Sequence, residues 1–176
     1  MSRTNDVRLH SARRSAYRYR VGEEARYSIR IADVNDVDAI GRLLHSFNEE
    51  FGEPSPSAEI LAERFKALLE HDTFVLLGGD GPDGLAVLRL RMSIWSRGLE
   101  SSLAELYVVP DSRGHGLGRA LMQAALHEAR TRGVDTMEIG VDEPDQAARG
   151  LYESLGFTNR VGGPDGPVMY VYEREL

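Results

Sequence analysis

Apolar residues recur at intervals of three and four in some stretches and in short compact or alternating runs in others, so helices and strands both read from the pattern. Residues 28–32 predict a short first strand. Asp33, Asn35 and Asp36 then offer a cap to a helix whose apolar positions are Val37, Ile40, Leu44, Phe47 and Phe51. Gly52-Glu53-Pro54-Ser55-Pro56 breaks the chain, and a second helix follows over 57–70 with Leu61, Phe65, Leu68 and Leu69 inward. The apolar run 74–77, the turn sequence GGDGPDG at 78–84 and the run 85–94 predict a hairpin. A loop around Trp95 leads to a strand at 103–109. A helix over 116–132 ends at Gly133, with Leu117, Leu121, Ala124 and Ala125 along one stripe. A strand at 136–141, a short helix at 145–155 stopped by Gly156, and a last alternating strand at 168–173 complete a mixed α/β chain without internal repeats.

The densest chemical signal is LAELYVVPDSRGHGLGR at 103–119. Pro110 stops a strand, and a glycine-punctuated loop opens directly into a helix. Backbone N–H groups of such a loop converge just ahead of the positive helix end, a ready site for phosphate or pyrophosphate. A P-loop would need Lys then Ser or Thr after its last glycine, but Gly118 is followed by Arg119 and Ala120. A dinucleotide fingerprint would need a sixth-position glycine; counting from Gly114 gives Arg119 and from Gly116 gives Leu121. Glu138, at a suitable distance downstream, does not rescue that reading.

A third pattern fits. Arg113, Gly116 and Gly118 match R/Q-x-x-G-x-G/A, preceded by Leu106, Val108 and Pro110 in L-x-V-x-P and followed by ARGLYESLGF at 148–157. In these elements and their order the chain resembles the GNAT superfamily of acyl-CoA-dependent N-acyltransferases, over roughly residues 28 to 176. The resemblance implies an α/β fold of the α+β type: a central mixed, mostly antiparallel twisted sheet flanked by helices on both faces. It implies acetyl-CoA as cosubstrate, its pyrophosphate against Arg113, Gly114, Gly116, Leu117, Gly118 and Arg119. Its pantetheine arm would pair with Leu106, Tyr107 and Val108 as an added strand. An N–H near Val108 would polarise the thioester carbonyl. Tyr152 becomes the candidate acid toward the leaving thiolate and Glu105 the candidate base, with Glu138 the alternative. Relatives that acetylate N-terminal amines carry Glu two positions after Glu138; Gly140 stands there, which argues against the ribosomal-protein subgroup. Asp145 occupies a position where the family often has Asn bonding the pantetheine, and a carboxylate cannot donate as an amide does.

Composition narrows the classes. The 176 residues suffice for one domain with a real core, and no stretch approaches the roughly 18 apolar residues of a membrane span. The absence of cysteine excludes a disulfide scaffold, a thiolate metal site and a cysteinyl acyl-enzyme, and fits a cytoplasmic location. His45, His71, His115 and His127 lack metal-ligand spacing, so no metal is expected. The charge is uneven: residues 1–27 hold seven Arg against three acids, a net of +4, leaving −11 of the total −7 for the remainder. The arm is expected to be a disordered extension, and residues 28–176 the acetyltransferase domain. The acidic body disfavours nucleic acid and suits a cationic amine acceptor, to which Asn48, Glu49, Glu50, Glu53 and Trp95 could contribute. The acceptor, a small-molecule amine or a protein amino group, is left open. A non-catalytic CoA-binding module on the same fold is the alternative, and dimerisation, common in similar proteins, leaves a homodimer open.

Overall fold

The computed structural model describes residues 27–175 and the backbone of residues 16–19. Among them six strands lie side by side in chain order: β1 (Ala16–Tyr19), β2 (Tyr27–Ile31), β3 (Thr73–Gly78), β4 (Gly84–Met92), β5 (Leu99–Val108) and β6 (Val134–Ile139). Neighbours from β1 to β5 are antiparallel, and β6 alone runs parallel, beside β5. Four helices flank the sheet: α1 (Val37–Phe51), α2 (Ala58–Leu68), α3 (Leu117–Thr131) and α4 (Gln146–Ser154).

The period-two geometry of strands divides the apolar residues between two cores. Phe74, Leu76, Ala86 and Leu88 pack with Leu117, Leu121 and Met122 of α3 and Tyr152 of α4. Val75, Leu77, Leu85 and Val87 face Ile40, Leu43 and Leu44 of α1 and Phe65 of α2. The strands β3 and early β4 are covered on both faces, so they appear as continuous apolar runs in the sequence. Each fully buried Leu or Val contributes about 1.5–3 kcal/mol. The entry to α1 is fixed by a capping box at Asp33, whose partner Asp36 is held by both guanidinium nitrogens of Arg30 at 2.6 Å. Ser57 caps α2.

Three expectations change. Residues 16–19, assigned above to a disordered extension, pair with β2 as β1; the remainder of that segment lies outside the described residues. The strand at β5 begins at Leu99 rather than 103, because its first half pairs with β6. Residues 168–173 do not form a strand: only an Arg160–Val168 bridge forms, and Tyr170, Val171 and Tyr172 are exposed. Alternation marks a segment suited to a pleated surface, and it becomes a strand only where a partner ladder is made.

Candidate functional site

The site starts from an irregularity in β5. Val87 pairs with Glu105 but Leu88 pairs with Leu103, so Ala104 is an extra residue, a bulge. Pairing between β5 and β6 ends nearby, at Leu103 with Ile139, while pairing with β4 continues to Val108. Residues 105–108 therefore have one strand edge without a ladder. The Val109 N–H donates to Asp83 O on the β4 side. By alternation, the N–H and C=O groups of Leu106 and Val108 point to the open edge, and those of Tyr107 toward β4.

At the end of this edge lies the glycine loop. The N–H groups of Ser112 and Arg113 are consumed by Val109 O and Pro110 O. Among the described residues, the next six amides, residues 114–119, donate to no protein acceptor. Gly116 is the N-cap of α3 at φ +94°, a left-handed conformation that a side chain would strain. Gly118 is different, since its φ is ordinary. A Cβ there would meet nothing nearer than Val108 Cγ2 and Leu151 Cδ2 at 3.8 Å. Packing does not require glycine at 118, and a residue as small as the Gly or Ala of the motif leaves the amides open to a ligand. Tyr27 Oη donates to His115 O at 3.1 Å and steadies the loop from β2.

Arg113 is deployed otherwise than the resemblance suggests. Its two terminal nitrogens donate to Glu50 at 2.6 and 2.7 Å, its Nε donates to Val108 O at 2.8 Å, and its cation lies over the Tyr107 ring. Tyr107 Oη also donates to Glu50. With its amide also committed, Arg113 joins the end of α1 to β5 and the loop rather than reaching into the open amides. Tyr107 is buried in the α1–α2 core, so its role is to anchor. Arg119 donates to Ser154 Oγ at 2.8 Å, tying α3 to α4, and Leu117 is a core residue. Their backbone N–H groups remain open. Asp145 accepts from Ala148 N–H at 2.9 Å as the N-cap of α4, a demand that Asn and Asp meet equally.

Tyr152 and Glu105 approach the open edge from opposite faces. Tyr152 is buried against Phe157 in the α3–α4 core, and its phenol is pushed up to about 12, chiefly by burial and further by the Asp145 and Glu105 carboxylates. Glu105 is half-buried on the other face, and burial raises its carboxyl above the usual range. It lines a cavity of about 240 Å³ under α1 and α2, walled by Leu44, Phe47, Leu61, Phe65, Leu68 and Val87. Glu138, by contrast, is exposed and paired with Arg91 at 3.0 Å.

The same cavity brings in polar residues that sequence reasoning passed over: Arg64 and Arg89, beside the expected Asn48. A signal was present. Arg64 falls in the series Leu61, Phe65, Leu68, on the inward stripe of α2, and Arg89 continues the face of Leu85 and Val87. Of the other acceptor candidates, Glu50 is committed to Arg113, Glu49 lies 3.5 Å from His45, Glu53 is exposed, and Trp95 stands exposed at the β4–β5 turn. Among the described residues no group of His, Cys, Asp and Glu could hold a metal.

Comparison with known proteins agrees with this geometry. The mycothiol acetyltransferase of Thermobispora bispora is 50% identical over 66 residues, 36% of this chain and 22% of that protein. The ribosomal protein bS18-alanine N-acetyltransferase of Escherichia coli (strain K12) is 45% identical over 58 residues, 33% of this chain and 39% of that protein. The matches thus span less than half the length of either curated relative. A crystal structure ascribed to an acetyltransferase from Arthrobacter sp. FB24 superposes with a TM-score of 0.78 at 45% identity, covering 84% of this chain and 95% of that one. An aminoglycoside acetyltransferase from a soil metagenomic sample, solved with sisomicin, shares the fold at 17% identity and a TM-score of 0.68, over 85% and 97% of the two chains. The family model described as "Acetyltransferase (GNAT) family" matches residues 40–157, from within α1 to just past α4, and the chain belongs to that family.

Proposed function

We propose that the protein is an N-acetyltransferase that moves the acetyl group of acetyl-CoA to a primary amine by direct attack of the amine. The observation carrying this reading is the continuity of two sets of open backbone groups: the edge of β5 at the Leu106 N–H and C=O and the Val108 N–H, and the amides of residues 114–119. A ligand that fits both must join an amide-bearing arm to a diphosphate, as coenzyme A does. The uncrowded Gly118 gives it room at the junction.

Bound there, acetyl-CoA supplies the activated acyl group, and the chain's own residues do the rest. The Val108 N–H, directed to the open edge, is placed to hold negative charge building on the acyl oxygen. An acceptor amine of the lysine type has a reference pKa near 10.4, so only about one molecule in a few thousand is neutral at pH 7. Glu105, raised by burial and facing the acceptor cavity, is the group to take the proton. Tyr152 at about 12 keeps its phenolic proton at neutral pH and is a donor. A free thiol near 8.5 is the weaker base by about 3.5 units, or ~5 kcal/mol, so Tyr152 stabilises the departing thiolate by a hydrogen bond rather than by surrendering its proton outright. Protonation of Glu105 removes one of the charges that raise Tyr152, which makes the phenol a stronger donor as the amine loses its proton.

The test is thiol release from acetyl-CoA with a panel of amines, alongside calorimetric titration of coenzyme A. Amine-dependent release is expected. Binding without release by any amine would favour a CoA-binding module on this fold, and no binding would remove the reading altogether.

A further inference from the structure

We propose that the acceptor is an amine that also carries a carboxylate on an apolar body, an amino-acid-like molecule, and that Arg64 and Arg89 hold its acid end. The inference rests on the acetyl-transfer reading and specifies its second substrate.

The chain is acidic, with a formal net charge of −7, so carboxylate partners for its arginines are plentiful. Arg30, Arg91, Arg113 and Arg132 each meet a carboxylate at 3.0 Å or less. Arg64 and Arg89 meet none among the described residues, yet both line the cavity that contains Glu105. Both side chains are exposed, on stripes whose sequence neighbours are apolar and inward, so they meet the cavity from its solvent side. Two unpaired guanidiniums on the wall of one pocket form a forked donor set suited to a carboxylate.

Glu105 stands apart from them. Burial raises its carboxyl, and among the described residues no ion pair joins it to either guanidinium. The β4 register agrees: Glu105 lies opposite Val87, and Arg89 is two residues further along the strand, roughly 7 Å away at about 3.4 Å per residue. The apolar side chains of Leu61, Phe65 and Leu68 line the same cavity. A ligand matching this set has an ammonium for Glu105, an apolar body and an anion for the arginines. At about 240 Å³ the cavity is smaller than the roughly 300–1,000 Å³ of drug-sized sites, which suits a single residue or the end of a short peptide. A polyamine would set its second cation against the two guanidiniums. The cationic character expected from the overall charge therefore belongs to the amine end alone.

The experiment compares leucine, phenylalanine and leucyl-leucine with their carboxamides and with spermidine, by acetyl-CoA thiol release and by calorimetric titration into protein saturated with coenzyme A. The free acids are expected to exceed the carboxamides by at least 10-fold in kcat/KM and in affinity. Arg64→Gln and Arg89→Gln should erase that preference mainly through KM, while Arg42→Gln, an exposed α1 position outside the cavity, should keep it. Equal use of acids and carboxamides, or better use of spermidine, would overturn the proposal while leaving acetyl transfer standing. Binding of the acids that depends on Arg64, with no acetyl transfer, would uphold the pocket assignment and remove the acetyl-transfer reading. Absence of both transfer and acid-dependent binding would overturn the proposal.

Discussion

Replacing Gly118 with alanine and with aspartate separates a ligand's demand for a small uncharged residue from the fold's. The residue is the second of α3, has an ordinary backbone conformation, and has no atom within 3.8 Å of the position a Cβ would take. That distance is ordinary contact, so the methyl group costs nothing sterically. Relative to glycine, alanine favours the helix by up to about 1 kcal/mol. Stability should therefore stay level or rise, with a Tm gain of up to about 2–4 °C for a chain of this size. The motif accepts Gly or Ala here, so this methyl is compatible with a diphosphate on the open amides, whereas the carboxylate of Gly118→Asp would enter the gap between Val108 and Leu151 and repel it. Affinity for acetyl-CoA is expected to stay level in Gly118→Ala and to fall at least 10-fold, about 1.4 kcal/mol, in Gly118→Asp. Scanning calorimetry and isothermal titration on one protein preparation read both quantities. Gly116→Ala provides the contrast: at φ +94° the substitution strains the backbone by about 1–2 kcal/mol, so Tm should fall. An unchanged dissociation constant for Gly118→Asp would remove the phosphate assignment, and a loss of stability in Gly118→Ala would show that packing requires the glycine.

Tyr152→Phe should lower kcat by about 10- to 100-fold with little change in acetyl-CoA affinity; steady-state kinetics with unaltered turnover would eliminate the phenol's role. Glu105→Gln should flatten the acidic limb of the kcat/KM profile, which in the parent lies above the usual carboxylate range because burial raises Glu105. A carboxyl raised in the folded state favours folding below its unfolded pKa, and that contribution is lost as pH rises through the folded value. Glu105→Gln should thus be more stable than the parent at pH 7 and indistinguishable near pH 4, as denaturant titrations would show. Glu50 has the opposite sign: its hydrogen bonds from Arg113 lower its pKa, so its contribution is present above the unfolded pKa and fades as pH falls through the folded one. Glu50→Gln should cost no more than about 1 kcal/mol at pH 7, the pair being partly exposed, with the deficit closing in acid.

The helices were legible because their cues are local: Asp33 as a cap, the glycine–proline break at 52–56 ahead of the second helix, and Val37, Ile40 and Leu44 at helical spacing. The glycine loop was legible for a similar reason, since glycines after a proline-stopped strand restrict the backbone to few conformations. What was not legible depended on partners distant in the chain. The family motif sets Arg113 beside the pyrophosphate, but the carboxylate partner of its side chain lies 63 positions earlier, on α1, where no local cue marks it. Residues 168–173 alternate like a strand, and a segment's alternation says nothing about whether a neighbour accepts its hydrogen bonds. Arg64 and Arg89 sat on apolar stripes and still passed unnoticed, because only folding brings α2 and β4 around one cavity.

The bulge at Ala104 links these pieces. Before it, Leu103 faces the α3–α4 core; after it, Leu106 and Val108 do, so the facing parity changes from odd to even within β5. In an unbroken strand Glu105 would share Leu103's face and point toward α3, away from the cavity. The extra residue turns Glu105 and Tyr107 toward α1 and α2 instead, and the same stretch is where β5 parts from β6. One insertion thereby puts a carboxylate on the acceptor face and a free backbone edge beside it. Tyr152 reaches that edge from the opposite core. The two groups proposed to act on either side of an acyl carbon thus belong to different hydrophobic cores, and one irregular strand brings them to a common line.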